Sequence, residues 1–150
     1  MWVVLTEQHR EIYEAPWIGG DDPGSQFDGH LERVGPEHLW VAEVDGGVVG
    51  LSGLILEDGA CELEPLVVTP SHRGHGIGRQ LVDAARVGAV TAGVRTFNVR
   101  PVARNAEAIR FYREAGFNVL GYVELFEDLR EDSPATWREG ETLAGVDFLV

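Results

Sequence analysis

The sequence predicts a mixed α/β domain, a mainly antiparallel sheet with flanking helices, and three observations carry that expectation. An Asp-Gly pair at Asp45–Gly46 separates two apolar runs, 39–44 and 48–56, which is a strong short-range hairpin signal. A third apolar run, 60–68, follows the turn at 57–59. Two stretches of helical periodicity, 78–93 and 105–116, then bracket a strand-like run at 95–102. Strands, helix, strand, helix and further strands, in that order, describe a sheet with helices laid over it. At 150 residues and 44% hydrophobic content, one domain spanning 1–150 has enough apolar side chains for a core of its own.

Taken in order, "WVVL" at 2–5 reads as a short first strand and 6–15 as a helix starting at a Thr6 cap. The Pro, Gly and Asp cluster "PWIGGDDPGS" breaks regular structure, and Ser25 is placed to cap a second helix reaching Val34. In the run 60–68, alternation sets Glu62, Glu64, Leu66 and Val68 on one face and Cys61, Leu63, Pro65 and Val67 on the other. Pro65 cannot donate to a ladder, so it marks an edge, a bulge or a point where two strands separate. The helix 78–93 carries Leu81, Val82, Ala85 and Ala89 at helical spacing, with Val87 or Gly88 between them and Gly93 as its stop. The strand 95–102 sets Thr96, Asn98 and Arg100 opposite Phe97, Val99 and Pro101. Asn105 begins the next helix, whose stripe is Ala108, Ile109, Tyr112 and Ala115 and whose stop is Gly116. Two late strands, 117–129 and 142–150, flank an acidic loop.

Charge narrows the function classes. There are 25 acidic residues against 12 basic ones, every basic residue is an arginine, and the formal net charge is -13. Such a field disfavours nucleic acid as a partner but leaves room for a local basic cleft that receives a small anion. The lysine-free acidic composition suits a salt-loving source or a GC-rich gene equally well. The single cysteine, Cys61, permits no internal disulfide, and histidines at 9, 30, 38, 72 and 75 show no metal-ligand spacing, so no metal is expected. No basic leader or membrane-length apolar run is evident, so no membrane partner is expected and the cytoplasm is the expected compartment.

The chemistry concentrates at "VVTPSHRGHGIGRQLVDAA", 67–85, where a strand ends at Thr69–Pro70, a glycine-rich turn follows and a helix begins near Ile77. Small residues before a helix start leave successive N–H groups open to close approach, and the positive end of the helix adds to their field. An oxygen-rich anion, most naturally a pyrophosphate, fits there, with Arg73 and Arg79 flanking it. A Walker loop needs a lysine that this chain lacks, and a dinucleotide fingerprint needs a ribose carboxylate that "TFNV" does not supply. A tight connection without a ligand remains the alternative.

The segment "RGHGIG", 73–78, resembles the R/Q-x-x-G-x-G/A acyl-coenzyme A motif of the GNAT superfamily of N-acetyltransferases, and "LVVTPSH" before it resembles the strand end typical of that family. "NAEAIRFYREAGF", 105–117, is similar to the family's later helix and the strand after it. The likeness covers about residues 39–125. It implies an acyl-CoA N-acyltransferase fold in which the strands at 60–68 and 95–101 splay apart, with the pantetheine arm of acetyl-CoA in the gap. It further implies that backbone at Val67 and Val68 bonds that arm. The pyrophosphate is expected on the amides of Arg73, Gly74, His75, Gly76, Ile77 and Gly78, and Arg79 would assist by its side chain.

Asn105 suits a plain N-cap, a contact to the cosubstrate arm, or both. Tyr112 suits a core aromatic or, as the resemblance implies, the proton donor to the departing thiolate. Glu64 is the expected base for the amine proton, directly or through water, with Glu62 second and two solvated strand residues as the alternative. Trp17, Phe27, Asp21 and Asp22 are candidates for an acceptor rim. The function implied is transfer of an acetyl group from acetyl-CoA to a primary amine of a small molecule or a protein. The alternative is an inactive coenzyme A-binding regulatory or interaction module. The apolar final segment suggests a homodimer.

Overall fold

The structure is a computed structural model, and it describes residues 1–14, 18–127, 129, 137 and 139–150. Two helices open the chain, α1 (Trp2–Tyr13) and α2 (Gln26–Val34). Strands β1 (Leu39–Val44), β2 (Gly47–Glu57) and β3 (Ala60–Val68) come after them as an antiparallel meander. Helix α3 (Ile77–Thr91) leads to the short β4 (Thr96–Asn98), and α4 (Ala106–Glu114) comes next. The main sheet runs in the order β1-β2-β3-β4, with β4 parallel to β3. A separate two-stranded sheet, β5 (Glu139–Leu143) with β6 (Val146–Leu149), ends the chain.

The opening strand is not formed: residues 2–5 are the first turn of α1, which runs straight through the expected Thr6 cap. A four-residue apolar run cannot distinguish strand from helix by period, and here Trp2 and Leu5 continue a helical pattern to Ile12. Ser25 does precede α2, but its hydroxyl donates to the Asp22 carbonyl at 2.8 Å instead of capping that helix.

Around β3 the register carries the main structural message. Ser52 pairs with Leu66 and Leu54 with Leu63, so Gly53 alone faces both Glu64 and Pro65. That extra residue is a β-bulge, and it reverses the alternation of the strand. On one side of it Leu66 packs on the core below α3 and Val68 approaches the helix at Gly78; on the other, Cys61 and Leu63 occupy that same face. Glu62 and Glu64 therefore share a face with each other but not with Leu66 and Val68, which corrects the simple alternation. Gly53 is required by this packing, because a Cβ there would stand 2.7 Å from the Glu64 carbonyl oxygen and 2.9 Å from Leu39 Cδ2. The Glu64–Pro65 peptide is cis.

The core lies between the sheet and α3: Leu54, Cys61, Leu63, Val82, Ala85, Ala89 and Ala115, with Trp40, Phe97, Phe111 and Phe117 packed around them. Gly88, not Val87, lies on this buried side. Val87 is exposed, whereas a Cβ at Gly88 would meet Trp40 Cη2 at 2.7 Å. On the opposite face of the sheet α2 covers Gly53 through Val34.

Beyond α4 the structure departs from expectation. Residues 117–127 form no strand, although their apolar alternation suggested one, and Val119, Leu120 and Tyr122 are exposed. A ladder needs a partner edge, and the three residues of β4 offer very little. The expected single strand 142–150 is instead part of a hairpin that turns at Ala144 and Gly145, both at positive φ (53° and 80°), the two-residue turn whose twist suits antiparallel strands. The strand expected at 95–102 is limited to Thr96–Asn98 for a related reason: its pairing with β3 stops at Glu62–Asn98.

Candidate functional site

Past Glu62 and Asn98, β3 and β4 no longer pair, and a cleft of about 490 Å³ opens at the diverging ends. Its near wall is the end of β3, Leu66 to Val68, and its floor is the loop and first turn of α3. Asn105, Ala108, Phe111 and Tyr112 form the far wall, and Gln8, Glu11 and Ile12 of α1 close the remaining side. Of the residues expected to hold a cosubstrate, Val67, Val68, Arg73, Gly74, Gly76, Ile77, Gly78, Arg79 and Asn105 border this space, while His75 is exposed outside it.

The loop is built to present backbone. Gly74 and Gly76 have φ of 76° and 80°, conformations that L side chains adopt only with strain. A Cβ at either would meet nothing within 4 Å. Gly76 is the N-cap of α3 and has no side chain to satisfy the first turn; Gln80 N–H is the first to bond back, to the Gly76 carbonyl at 3.1 Å. The N–H groups of Ile77, Gly78 and Arg79 thus have no intrahelical acceptor and carry the positive end of a 15-residue helix. Gly78 has a second role. A Cβ there would touch Phe111 Cζ at 3.4 Å, so the glycine lets α3 pass close to α4.

The flanking arginines are engaged. Arg73 Nε donates to the Val68 carbonyl at 3.2 Å, and its own N–H bonds the Pro70 carbonyl at 3.3 Å. Arg79 Nη1 donates to the Glu114 carbonyl at 3.0 Å and Nε to Asp83 at 3.3 Å. The Arg79 guanidinium is thereby directed to the end of α4. Asn105 acts as the cap the sequence suggests, its Oδ1 accepting from Ala108 N–H at 3.0 Å, and it also borders the cleft.

Tyr112 borders the cleft with its ring edge-on to Phe111 and Phe117, centroids 5.3 and 5.7 Å away. Burial pushes its phenol up to about 12, so near neutral pH the group holds its proton and is a donor.

The two glutamates differ. Glu64 does not border the cleft; its Oε1 accepts from Arg33 Nη2 of α2 at 2.8 Å and lies 3.7 Å from His30 Nδ1. Glu62 is buried and ion-paired with Arg100. Burial pushes the Glu62 carboxyl up, against the pull of Arg100. Burial also pushes His30 and His9 down, with Glu64 opposing the shift at both. Sequence reasoning missed this surround because its contacts join α1, α2 and β3 across long separations. It also missed the α1 wall, although Gln8, Glu11 and Ile12 at i, i+3 and i+4 are a readable helix face once the helix is known.

Among the proposed rim residues, Phe27 packs on Trp2 at 5.7 Å between the opening helices, Asp21 and Asp22 are exposed, and none of the three borders the cleft. Trp17 lies outside the described residues. Among the described residues no group of three or more His, Cys, Asp or Glu is placed to hold a metal, and no helix is long and apolar enough to cross a membrane.

Comparison with known proteins points one way. The family model described as an acetyltransferase (GNAT) domain matches residues 35–119. The chain is 32% identical over 93 residues to an uncharacterized N-acetyltransferase, YjgM, of Escherichia coli, covering 59% of this chain and 56% of that protein. It is 35% identical over 96 residues to the peptidyl-lysine N-acetyltransferase YjaB of Salmonella typhimurium, covering 64% and 60% respectively. These matches therefore span less than two thirds of either relative's length. The fold is that of the aminoglycoside acetyltransferase AAC(6')-Iy, solved with a bisubstrate analog (TM-score 0.60, 22% identity, 80% of this chain and 86% of that one). It is also that of glucosamine-6-phosphate N-acetyltransferase from Arabidopsis thaliana (TM-score 0.56, 18% identity, 71% and 78%).

Proposed function

The chain belongs to the acetyltransferase (GNAT) domain family, and from that premise we propose that it moves an acetyl group from acetyl-CoA to a primary amine by direct attack. The observation that carries this reading is the cleft itself: the end of β3, past its last pair with β4, on one side, the first turns of α4 on the other, open glycine backbone at a helix N-terminus at one end, and a protonated phenol on the wall. The unpartnered amides from Gly74 to Arg79 suit the pyrophosphate, and the edge of β3 at Leu66–Val68, relieved of β4, has backbone groups to offer an amide-bearing arm.

In the reaction a neutral amine forms the new C–N bond at the thioester carbonyl, the C–S bond breaks, and two protons must be placed. Tyr112 donates one to the departing thiolate. The amine's proton leaves towards Glu64 through water, since that carboxylate does not border the cleft and is held by Arg33 beside His30. The same setback is what favours the second reading, a coenzyme A-binding module without transfer activity. The acceptor is taken to be an amine of a small molecule or a protein, the latter in line with the peptidyl-lysine relative.

Calorimetric titration with acetyl-CoA and coenzyme A, followed by an amine panel with thiol release as readout, tests both. Binding with turnover of some amine supports the enzyme, binding without turnover of any supports the module, and no binding removes both.

A further inference from the structure

The buried Glu62 and the arginine that reaches it take no part in that reaction, yet they occupy the fork of the sheet. Parallel pairing of β3 with β4 ends at Glu62 opposite Asn98. Arg100, two residues beyond that last pair on the departing strand, turns its guanidinium back across the fork to the Glu62 carboxylate. The Glu62 side chain is 7% exposed and the Arg100 side chain 64%, so the carboxylate is the buried partner and the arginine closes over it from solvent. Taking a carboxylate out of water is unfavourable unless a cation meets it, and removing the cation leaves an uncompensated buried charge. The pair is therefore satisfied only when the chain at Arg100 lies close to β3 at this one level.

Through the segment after Arg100, that constraint reaches the cleft. Residues 99–105 have no ladder to hold them. Val99 packs on the core, Arg104 Nη1 donates to the Ile12 carbonyl at 3.3 Å, and a turn from Asn105 N–H to Val102 O closes the segment at 2.9 Å. The next residues, Asn105, Ala108, Phe111 and Tyr112, are the far wall of the cleft. We infer that the Glu62–Arg100 ion pair is a pin that fixes where the two strands part, and so sets the width of the gap that receives the pantetheine arm. This rests on the acetyl-CoA reading. Glu62 and Arg100 are positioning residues in it, neither of them bordering the cleft.

Glu62→Gln, Arg100→Gln and the double variant test the pin, with Arg100→Lys as the conservative replacement. Coenzyme A affinity is read by calorimetry, melting temperature is read without ligand, and kcat and KM for acetyl-CoA are read with whichever amine the wild type acetylates. Each single variant is expected to weaken coenzyme A binding by roughly three- to thirtyfold, the range for residues that act on a site without touching the ligand. The double variant is expected to be no weaker than the worse single one, because both remove one interaction. Arg100→Lys should recover part of the loss, and KM for acetyl-CoA should move more than kcat. Unchanged affinity with a lowered melting temperature would reduce the pair to a stabilising contact. A loss of kcat in Glu62→Gln with affinity intact and Arg100→Gln silent would make Glu62 part of proton removal instead. Either result overturns the pin while leaving acetyl-CoA binding in place, whereas a wild type that fails to bind coenzyme A removes the proposed function and the pin with it.

Discussion

Tyr112 is the residue where packing and the proposed chemistry meet. Its ring fills space between Phe111 and Phe117, and burial pushes its phenol up to about 12. Tyr112→Phe retains the ring and removes the hydroxyl, so turnover is expected to fall by about a hundredfold while coenzyme A affinity measured by calorimetry stays within about twofold. An equal fall in both would return the residue to the core. The histidines make a separate, titratable prediction. His30 and His9 are held below their ordinary 6.5 by burial, so the unfolded chain binds more protons than the folded one between the lowered values and 6.5. Stability therefore rises with pH through that window and declines as pH falls below about 6.5. Glu62, held above 4.5 by burial, works in the opposite sense from 4.5 upward, where the folded state keeps a proton that the unfolded chain has lost. Urea unfolding at pH 7.5 and 5.5 should show a lower midpoint at 5.5, and the difference should shrink in His30→Asn. An unchanged difference would mean that His30 is not among the groups that destabilise the fold in acid.

At the scale of elements, the glycine turn and α3 are tied together at Gly76. With φ of 80° at the N-cap and open space around it, Gly76→Val puts a branched side chain both in a strained backbone region and in the path proposed for the anion. A stability loss of about 1–3 kcal/mol and a larger proportional loss of coenzyme A affinity are expected. Melting and calorimetry together separate the two, and affinity preserved in a folded variant would place the phosphates elsewhere. This element was legible from sequence because its signals are local: an apolar strand end, a proline, small residues and a helical stripe all fall within twenty residues. The same holds for β1, β2, α3 and α4, whose turns and caps are written in adjacent residues. The bulge was not legible in full. Pro65 announced an irregularity, but which side chains change face depends on Gly53 in another strand, where a Cβ would collide with the Glu64 carbonyl. Gly53→Ala is accordingly expected to cost about 1–3 kcal/mol in urea unfolding, despite adding a single methyl group. Of the candidate site, the loop and α4 were legible by their motifs, but not the α1 wall or the Arg33 and His30 surround of Glu64, which exist only after α1 and α2 have packed on the sheet.

On the scale of the whole molecule, apolar exposure and charge pull in opposite directions, and their balance makes the homodimer testable. Val119 is 87% exposed, Leu120 74% and Phe126 71%, all in the stretch after α4, and Leu149 of β6 is 64% exposed. Such a run of exposed apolar side chains favours association with a second copy. Against it stands a formal net charge of -13 on each chain, which repels a like copy over distances that salt screens down to about 10 Å at 0.1 M. Burial of apolar surface is affected far less by moderate salt than that repulsion is. Light scattering across a salt series is therefore expected to show mass rising from near the 16.4 kDa of one chain towards twice that value as salt increases. Leu120→Asp, which adds charge at an exposed position without touching the core, should shift the transition to higher salt or abolish it. A single-chain mass at every salt concentration would reject the dimer. A dimer that persists at low salt and is unaffected by Leu120→Asp would place its interface away from the stretch after α4.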